Sequence, residues 1–246
     1  MAALSNEAEA RIIALANQKG GVGKSTMTLC LARAANHYYG ARVLVLDMDP
    51  QGNVTSTLAR EDLAADEITI ADAITPGTKI ALREVIVPTI WDGIDLAPGG
   101  QTLAVAEQQI LAGQFGREHR LREAVAPVRS DYDLILIDNA PALGLLLVNS
   151  LVAGNTALLV SEAHRWSSDG LALLGETLSG VRSYHNPQLE IMGCIVNKWR
   201  GTASEKSRAD EMVDGFALHF PGVPVWLDRR VPLWTGIVDT LDAGLG

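Results

Sequence analysis

The segment NQKGGVGKST at residues 17–26 combines glycines with basic and hydroxyl side chains at close spacing. Its glycines are Gly20, Gly21 and Gly23. Backbone N–H groups of a glycine-rich turn can converge on an anion, and the N-terminal end of a following helix adds partial positive charge. Lys24 is spaced to reach the outer phosphates of a nucleotide, and the Ser25 hydroxyl is a hard oxygen ligand suited to Mg²⁺. The segment therefore predicts a site for nucleotide phosphates and a magnesium ion.

The same segment contains a second lysine, Lys19, five residues before Lys24. The general phosphate-loop pattern is G-x-x-x-x-G-K-[ST], and here Gln18 replaces its first glycine. That pattern requires only the lysine at position 24. From the residues alone, Lys19 is either a solvated loop residue or an additional cation at the phosphates.

Three aspartates lie at the ends of two predicted strands. Asp47 and Asp49 belong to the segment RVLVLDMDPQGN, and Asp138 ends the segment DYDLILID. The carboxyl ends of parallel strands open to the same edge of a sheet as the phosphate loop, where an acid can contact Mg²⁺ or its water ligands. Capping of a loop or helix is the alternative interpretation for any one of them.

The elements that must position these residues alternate between apolar strands and helices. Strands are predicted at residues 11–17, 42–47, 93–97, 132–138, 156–160 and 189–197. Helices are predicted at residues 24–37, 103–113, 117–128, 143–153, 168–184 and 204–219. Continuous apolar strands separated by helices are typical of a parallel sheet covered on both faces. We expect a doubly wound α/β fold with a mostly parallel sheet, a single domain over residues 1–246, and a flexible segment at residues 1–10.

Composition restricts the class of protein further. The chain has 246 residues, 48% of them hydrophobic, and a net charge of -9, so contact with nucleic acid requires a local basic surface. Its two cysteines, Cys30 and Cys194, lie far apart and fit neither a disulfide framework nor a metal site. No signal peptide or membrane-spanning segment is recognised. We expect a cytoplasmic protein.

The segments KGGVGKST, VLVLDMDPQGN and LILIDNAP resemble those of the deviant Walker ATPases of the ParA/Soj/MinD group, particularly small ParA-type partition proteins. The segment GIDLAPGGQTLAVAE is also similar to that group, and the resemblance extends over residues 11–241. One departure is Asn139-Ala140-Pro141, where the group more often has two prolines. Another is Ser161, which stands where a proline commonly follows the strand. The resemblance implies a P-loop NTPase fold.

The resemblance also implies ATP and Mg²⁺ as cofactors. The implied nucleotide-binding residues are Gly20, Gly21, Val22, Gly23, Lys24, Ser25 and Thr26, with Asn197 near the adenine. The implied metal-site residues are Ser25, Asp47 and Asp138. For Asn197, a strand-end residue turning into a loop is an alternative interpretation.

The implied catalytic residues are Lys19, Lys24 and Asp49. In this group the lysine corresponding to Lys19 is donated across a homodimer interface to the nucleotide of the partner subunit, when two subunits enclose two ATP molecules. A second cation there would counter the charge that develops during phosphoryl transfer. Asp49 would position the attacking water.

A basic segment follows the last long predicted strand. Residues 182–208 carry five bases and two acids, a net charge of +3. The resemblance implies binding of non-specific DNA, at positions occupied here by Lys198, Arg200, Lys206 and Arg208. Basic side chains contacting phosphates give salt-dependent binding without sequence preference. A solvated helix face is the alternative. A ParB-like centromere-binding protein is the implied partner, and the implied location is the nucleoid.

Four other functions share this fold. A ParA-like ATPase could position a protein cargo on the nucleoid. A MinD-like membrane switch would need a basic amphipathic C-terminal helix, whereas TGIVDTLDAGLG has two aspartates and no lysine or arginine. We therefore expect no membrane association. Two scattered cysteines argue against a nitrogenase-type reductase, and no second substrate pocket for an ATP-dependent synthetase is recognisable in the sequence.

Overall fold

The computed structural model describes residues 9–61, 64, 67–163, 168–234, 236 and 240. Within these residues one sheet contains eight strands. They are β1 (Arg11–Ala16), β2 (Val43–Met48), β3 (Val87–Pro88), β4 (Ile94–Ala97), β5 (Leu134–Asn139), β6 (Thr156–Glu162), β7 (Glu190–Asn197) and β8 (Val225–Trp226). Residues 1–8 of the predicted flexible start, and most of residues 235–246, lie outside the described part.

Helices connect the strands. They are α1 (Lys24–Tyr39), α2 (Asn53–Leu58), α3 (Ile70–Ile74), α4 (Leu82–Val85), α5 (Thr102–Ala112), α6 (Arg120–Val125), α7 (Leu145–Ala153), α8 (Ser168–Tyr184) and α9 (Ala203–His219). The predicted helix at 117–128 is shorter in the structure, because a 3-10 turn with Pro127 near its start follows α6. A proline has no N–H to continue an α-helical ladder. The short elements α2–α4, β3 and β8 were not predicted individually, since so few residues show no clear periodicity.

The strands are ordered β3-β4-β2-β5-β1-β6-β7-β8. Each neighbouring pair is parallel except β3 and β4, which are antiparallel. Both faces of the sheet are covered: Ile12 packs into the cluster that contains α7, and Ile13 packs into the cluster that contains α1. Adjacent strand residues point to opposite faces, so burial on both sides explains the continuous apolar strands. The predicted doubly wound, mostly parallel fold is confirmed.

The chain changes direction across the sheet at β1. This strand pairs with β5 on one side and β6 on the other. In open α/β sheets, ligands bind outside the carboxyl ends of the strands at such a reversal. The loop at 17–23, which joins β1 to α1, lies at that position.

Candidate functional site

The loop at 17–23 requires glycine at two positions. Gly21 has φ of 76° and Gly23 has φ of 88°, a left-handed region that other residues adopt at a cost. A Cβ on Gly23 would also lie 2.2 Å from Nδ2 of Asn197. The path of the loop and its close contact with β7 therefore both depend on the absence of a side chain at Gly23.

Asn17 fixes the start of the loop. Its Nδ2 donates to the carbonyl of Val160 in β6, and its Oδ1 accepts a 2.8 Å hydrogen bond from the backbone N–H of Lys19. Asn17 is buried, whereas the side chain of Lys19 is exposed. Lys19 therefore lies on a braced backbone with its side chain open to solvent.

Asp138, at the carboxyl end of β5, is connected to the first turns of α1. The Ser25 hydroxyl donates to its Oδ2 at 2.7 Å and the Thr28 hydroxyl donates to its Oδ1 at 3.0 Å. Burial raises the pKa of Asp138 to about 7, against the lowering effect of these hydroxyls and of Lys24. Burial also lowers the pKa of Lys24, opposed by the charges of Asp138 and Asp49. The buried ammonium thus lies near two carboxylates at the sheet edge.

Asp47 and Asp138 are directly paired residues of neighbouring strands, β2 and β5. Asp47 accepts hydrogen bonds from the Thr55 N–H at 2.8 Å, the Thr55 hydroxyl at 2.7 Å and the Asp49 N–H at 3.1 Å. Asp49 accepts a 2.9 Å hydrogen bond from the Gln51 N–H. Three donors therefore surround the Asp47 carboxylate, which ties β2 to α2, while the Asp49 carboxylate accepts a hydrogen bond from Gln51.

The remaining residues of the predicted nucleotide site line the same loop. Val22 is buried and Thr26 is half-buried at the start of α1. A Cβ on Gly20 would come within 3.6 Å of Pro141, which follows β5. The loop therefore packs against the segment after β5 on one side and against β7 on the other.

The residues present fit a magnesium-bound nucleoside triphosphate. The candidate ligands Ser25 and Asp138 supply hydroxyl and carboxylate oxygens, the donor type that Mg²⁺ prefers. The loop offers two left-handed glycines and a buried lysine, as an anion cradle needs. Asn139, next to Asp138, has a buried Oδ1 with no hydrogen-bond partner among the described residues, so an acceptor at this edge is left for a bound group.

Asn197 and Lys198 contact the phosphate loop. The Asn197 Nδ2 donates to the carbonyl of Val22 at 2.9 Å. The Lys198 ammonium donates to the carbonyl of Gly21 and lies 3.0 Å from Oε1 of Glu162. The structure therefore brings the Lys198 ammonium to the phosphate loop.

The other bases predicted to bind DNA are exposed. Arg200 precedes α9, and Lys206 and Arg208 lie in its first two turns. The helix also carries the acids Glu205, Asp210, Glu211 and Asp214. The basic surface is therefore restricted to the loop before α9 and the beginning of that helix. Arg182, which belongs to the basic segment, lies in the last turn of α8. This turn precedes the amino end of β7, whereas the phosphate loop lies at the carboxyl ends of the strands.

Sequence reasoning missed several residues that organise the site: Asn17, Thr28, Thr55 and Glu162. Thr28 could have been found, because residues three apart on a helix share a face and Ser25 faces Asp138. The others act through contacts between distant segments, which local spacing does not reveal. The part of the chain that the structure describes contains no candidate membrane-spanning helix.

Comparisons with known proteins identify the family of this chain. A protein-family model described as an AAA domain matches residues 10–191. The chromosome partitioning protein ParA of Myxococcus xanthus is 36% identical over 208 residues, covering 84% of this chain and 71% of that protein. An uncharacterised protein of Mycobacterium tuberculosis is 38% identical over 195 residues, covering 79% of this chain and 60% of the relative. The chain thus spans less than two thirds of that relative.

A structural relative supports the fold. The crystal structure of cobyrinic acid a,c-diamide synthase from Mycobacterium smegmatis with bound ADP and magnesium has a TM-score of 0.80 and 28% identity. The match covers 96% of this chain and 92% of the synthase. The family match and the identity to ParA exceed what a shared fold alone would give. The chain therefore belongs to the ParA-type partition ATPase family, within the ParA/MinD group of P-loop ATPases.

Proposed function

We propose that this chain is an ATPase that forms an ATP-sandwich homodimer, binds DNA without sequence preference and drives plasmid or chromosome segregation. The observation that carries the proposal is the contrast between two lysines of one loop, the buried Lys24 and the exposed Lys19. An exposed lysine on a braced backbone is available to the nucleotide of a second subunit. A ParB-like centromere-binding protein stimulates hydrolysis, and the protein acts in the cytoplasm on the nucleoid.

Each residue of the site has a separate role in the proposed reaction. Lys24 and the loop N–H groups bind the phosphates, and Ser25 with Asp138 holds Mg²⁺, which supplies Lewis-acid charge neutralisation when bound. Asp49 orients the attacking water. Asp47 keeps the loop carrying Asp49 in place through its three hydrogen bonds, so we assign it a position beside the metal and no direct coordination.

The decisive experiment is binding to arbitrary duplex DNA with ATP, with ADP and without nucleotide. We expect at least about tenfold tighter binding with ATP, equivalent to about 1.4 kcal/mol, because dimerisation doubles the number of basic side chains facing the phosphates. Equal affinity in all three conditions would contradict the proposal. Sedimentation under the same conditions shows whether the dimer accompanies DNA binding.

Two other functions remain testable against this one. A ParA-like ATPase that positions a protein cargo would show the same DNA binding, and differs only in the partner that stimulates hydrolysis. The match to the Mycobacterium smegmatis enzyme supports an ATP-dependent synthetase as an alternative. A cavity of about 470 Å³ beside α2 also supports it. The cavity is lined by Gly52, Thr55, Ser56, Ala59, Arg60, Glu61 and Gly99. ATP turnover insensitive to DNA, together with nucleotide-independent DNA affinity, would favour the synthetase.

A further inference from the structure

Lys198 has an unusual backbone conformation. Its φ is 54°, and among the described residues it is the one non-glycine residue with positive φ. The left-handed region is unfavourable for a residue with a long side chain. Such conformations persist where the surrounding structure imposes them, and they concentrate at functional sites.

The chain on both sides of Lys198 is held firmly. The Trp199 N–H donates to the Val231 carbonyl at 2.9 Å, and the Leu233 N–H donates to the Trp199 carbonyl at 2.8 Å. The guanidinium of Arg230 lies 4.6 Å from the centre of a Trp199 ring. On the other side, the Arg200 N–H donates to Glu205 at 2.9 Å. These contacts fix the direction of the chain at Lys198.

The imposed conformation directs the ammonium of Lys198 to the phosphate loop. It donates to the Gly21 carbonyl, and Glu162 at the end of β6 holds it from another side at 3.0 Å. The preceding residue, Asn197, donates to the Val22 carbonyl. Asn197, the last residue of β7, and Lys198 directly after it thus donate to the carbonyls of two consecutive loop residues.

This pairing sets the direction of the loop N–H groups. In a trans peptide the C=O and the following N–H point in opposite directions. Drawing the carbonyls of Gly21 and Val22 toward β7 therefore turns the N–H groups of Val22 and Gly23 away from it. Neither N–H donates to another atom of the described residues. Both are available to an anion in the loop.

We propose that Lys198 is a positioning residue of the phosphate loop, whose ammonium orients the Gly21–Val22 peptide so that its N–H faces the β-phosphate of the nucleotide. The inference deepens the proposed function and depends on it for the identity of the nucleotide. It also removes Lys198 from the group of bases that face DNA, since its charge is shared between Gly21 and Glu162.

The test uses two substitutions. Lys198→Asn removes the ammonium, while asparagine tolerates the left-handed conformation better than most residues. Lys198→Arg keeps a cation at the same place. ADP and AMP affinities are measured on the protein without DNA, by competition against a fluorescent ADP analogue. We expect Lys198→Asn to weaken ADP binding about tenfold, to change AMP binding less than about twofold because AMP lacks the β-phosphate, and Lys198→Arg to recover most of the loss.

Each outcome is decisive. Unchanged ADP affinity in Lys198→Asn, beside a wild type that binds ADP, overturns this inference and leaves the proposed function intact. Equal losses for ADP and AMP also overturn it, because they indicate general damage to the site. A wild type that binds no ADP overturns both proposals. Lys198→Gly, which accepts the same backbone conformation, replaces Lys198→Asn if circular dichroism shows that variant to be unfolded.

Discussion

Lys24 and Lys19 lie on one loop yet differ in their surroundings. Lys24 is buried beside Asp138 and Asp49, and burial lowers its pKa against the effect of these two charges. Lys19 is exposed, and its backbone N–H is fixed by Asn17. A buried cation needs nearby negative charge. The phosphates of a nucleotide bound in the same loop would supply it, so we assign Lys24 to the nucleotide of its own subunit. Lys19 is suited to a group arriving from outside.

At this scale we predict the effect of Lys19→Ala. The substitution removes an exposed charge without opening a cavity, so ADP affinity should change less than about threefold. ATP-dependent dimerisation, or hydrolysis stimulated by a partner, should fall by at least about a hundredfold, because the cation that reaches the partner's phosphates is lost. Sedimentation velocity with ATP measures the dimer. Lys79→Ala, at another exposed lysine, is the control, and a normal dimer with normal turnover in Lys19→Ala would refute the assignment.

At the scale of elements, the N-terminus of α9 determines where the basic surface lies. Thr202 and Glu205 form a capping box, in which the Thr202 hydroxyl accepts from the Glu205 N–H and Glu205 accepts from the Thr202 N–H, both at 3.2 Å. Glu205 also holds the N–H of Arg200. One acidic side chain thus fixes the position of the loop that carries Arg200 and of the turn that carries Lys206.

We predict that Glu205 makes α9 stability pH-dependent. Burial opposes its charged form, but hydrogen bonds from the Thr202 and Arg200 N–H groups outweigh this effect and lower the pKa of Glu205 below its ordinary value of 4.5. A lowered pKa means that the stabilisation is complete above the ordinary value and is lost as the pH falls through the lowered one. Glu205→Gln should therefore be about 1 kcal/mol less stable than wild type near pH 7, with the difference shrinking below about pH 4.

Urea unfolding across that pH range measures this difference. Asp210→Asn is the matched control, because Asp210 is an exposed acid on the same helix outside the capping box. A difference between Glu205→Gln and wild type that stays constant with pH would show that the charge of Glu205 is unimportant to the cap.

At the scale of the whole molecule, charge and topology act together. The chain carries a net charge of -9, so DNA binding has to come from a limited surface that outweighs the general repulsion. In the proposed function the exposed bases near α9 would provide such a surface on one subunit, and a dimer would present two. Arg182, in contrast, lies at the end of α8 and would not share this surface.

We therefore predict that Arg200→Ala combined with Lys206→Ala weakens ATP-dependent binding to any duplex DNA by at least about tenfold. The slope of log affinity against log salt should also decrease by about two for each subunit that contacts DNA. The matched control is Lys79→Ala combined with Arg182→Ala, which removes the same charge from exposed positions elsewhere. Equal losses in the two double variants would indicate a general charge effect and place the DNA surface elsewhere.

The sequence by itself determined much of the fold and of the phosphate site. The predictions depended on local patterns: the glycine spacing, the lysine and serine after it, and the aspartates that end apolar runs. The structures that these patterns predict also form between residues close in the sequence. For this reason the loop at 17–23, the strands β1, β2 and β5, and the position of Asp138 at the same sheet edge as that loop could be predicted from the sequence.

Only the tertiary structure decided the contacts between distant segments. It placed Asn197 and Lys198 against carbonyls of the loop more than a hundred residues earlier, and it surrounded Asp47 with donors from Thr55 and Asp49. The physical reason is that such contacts depend on strand order and on the paths of loops. These are set by packing over the whole sheet. For this reason Lys198, which the family resemblance assigns to the DNA surface, can contact the phosphate loop.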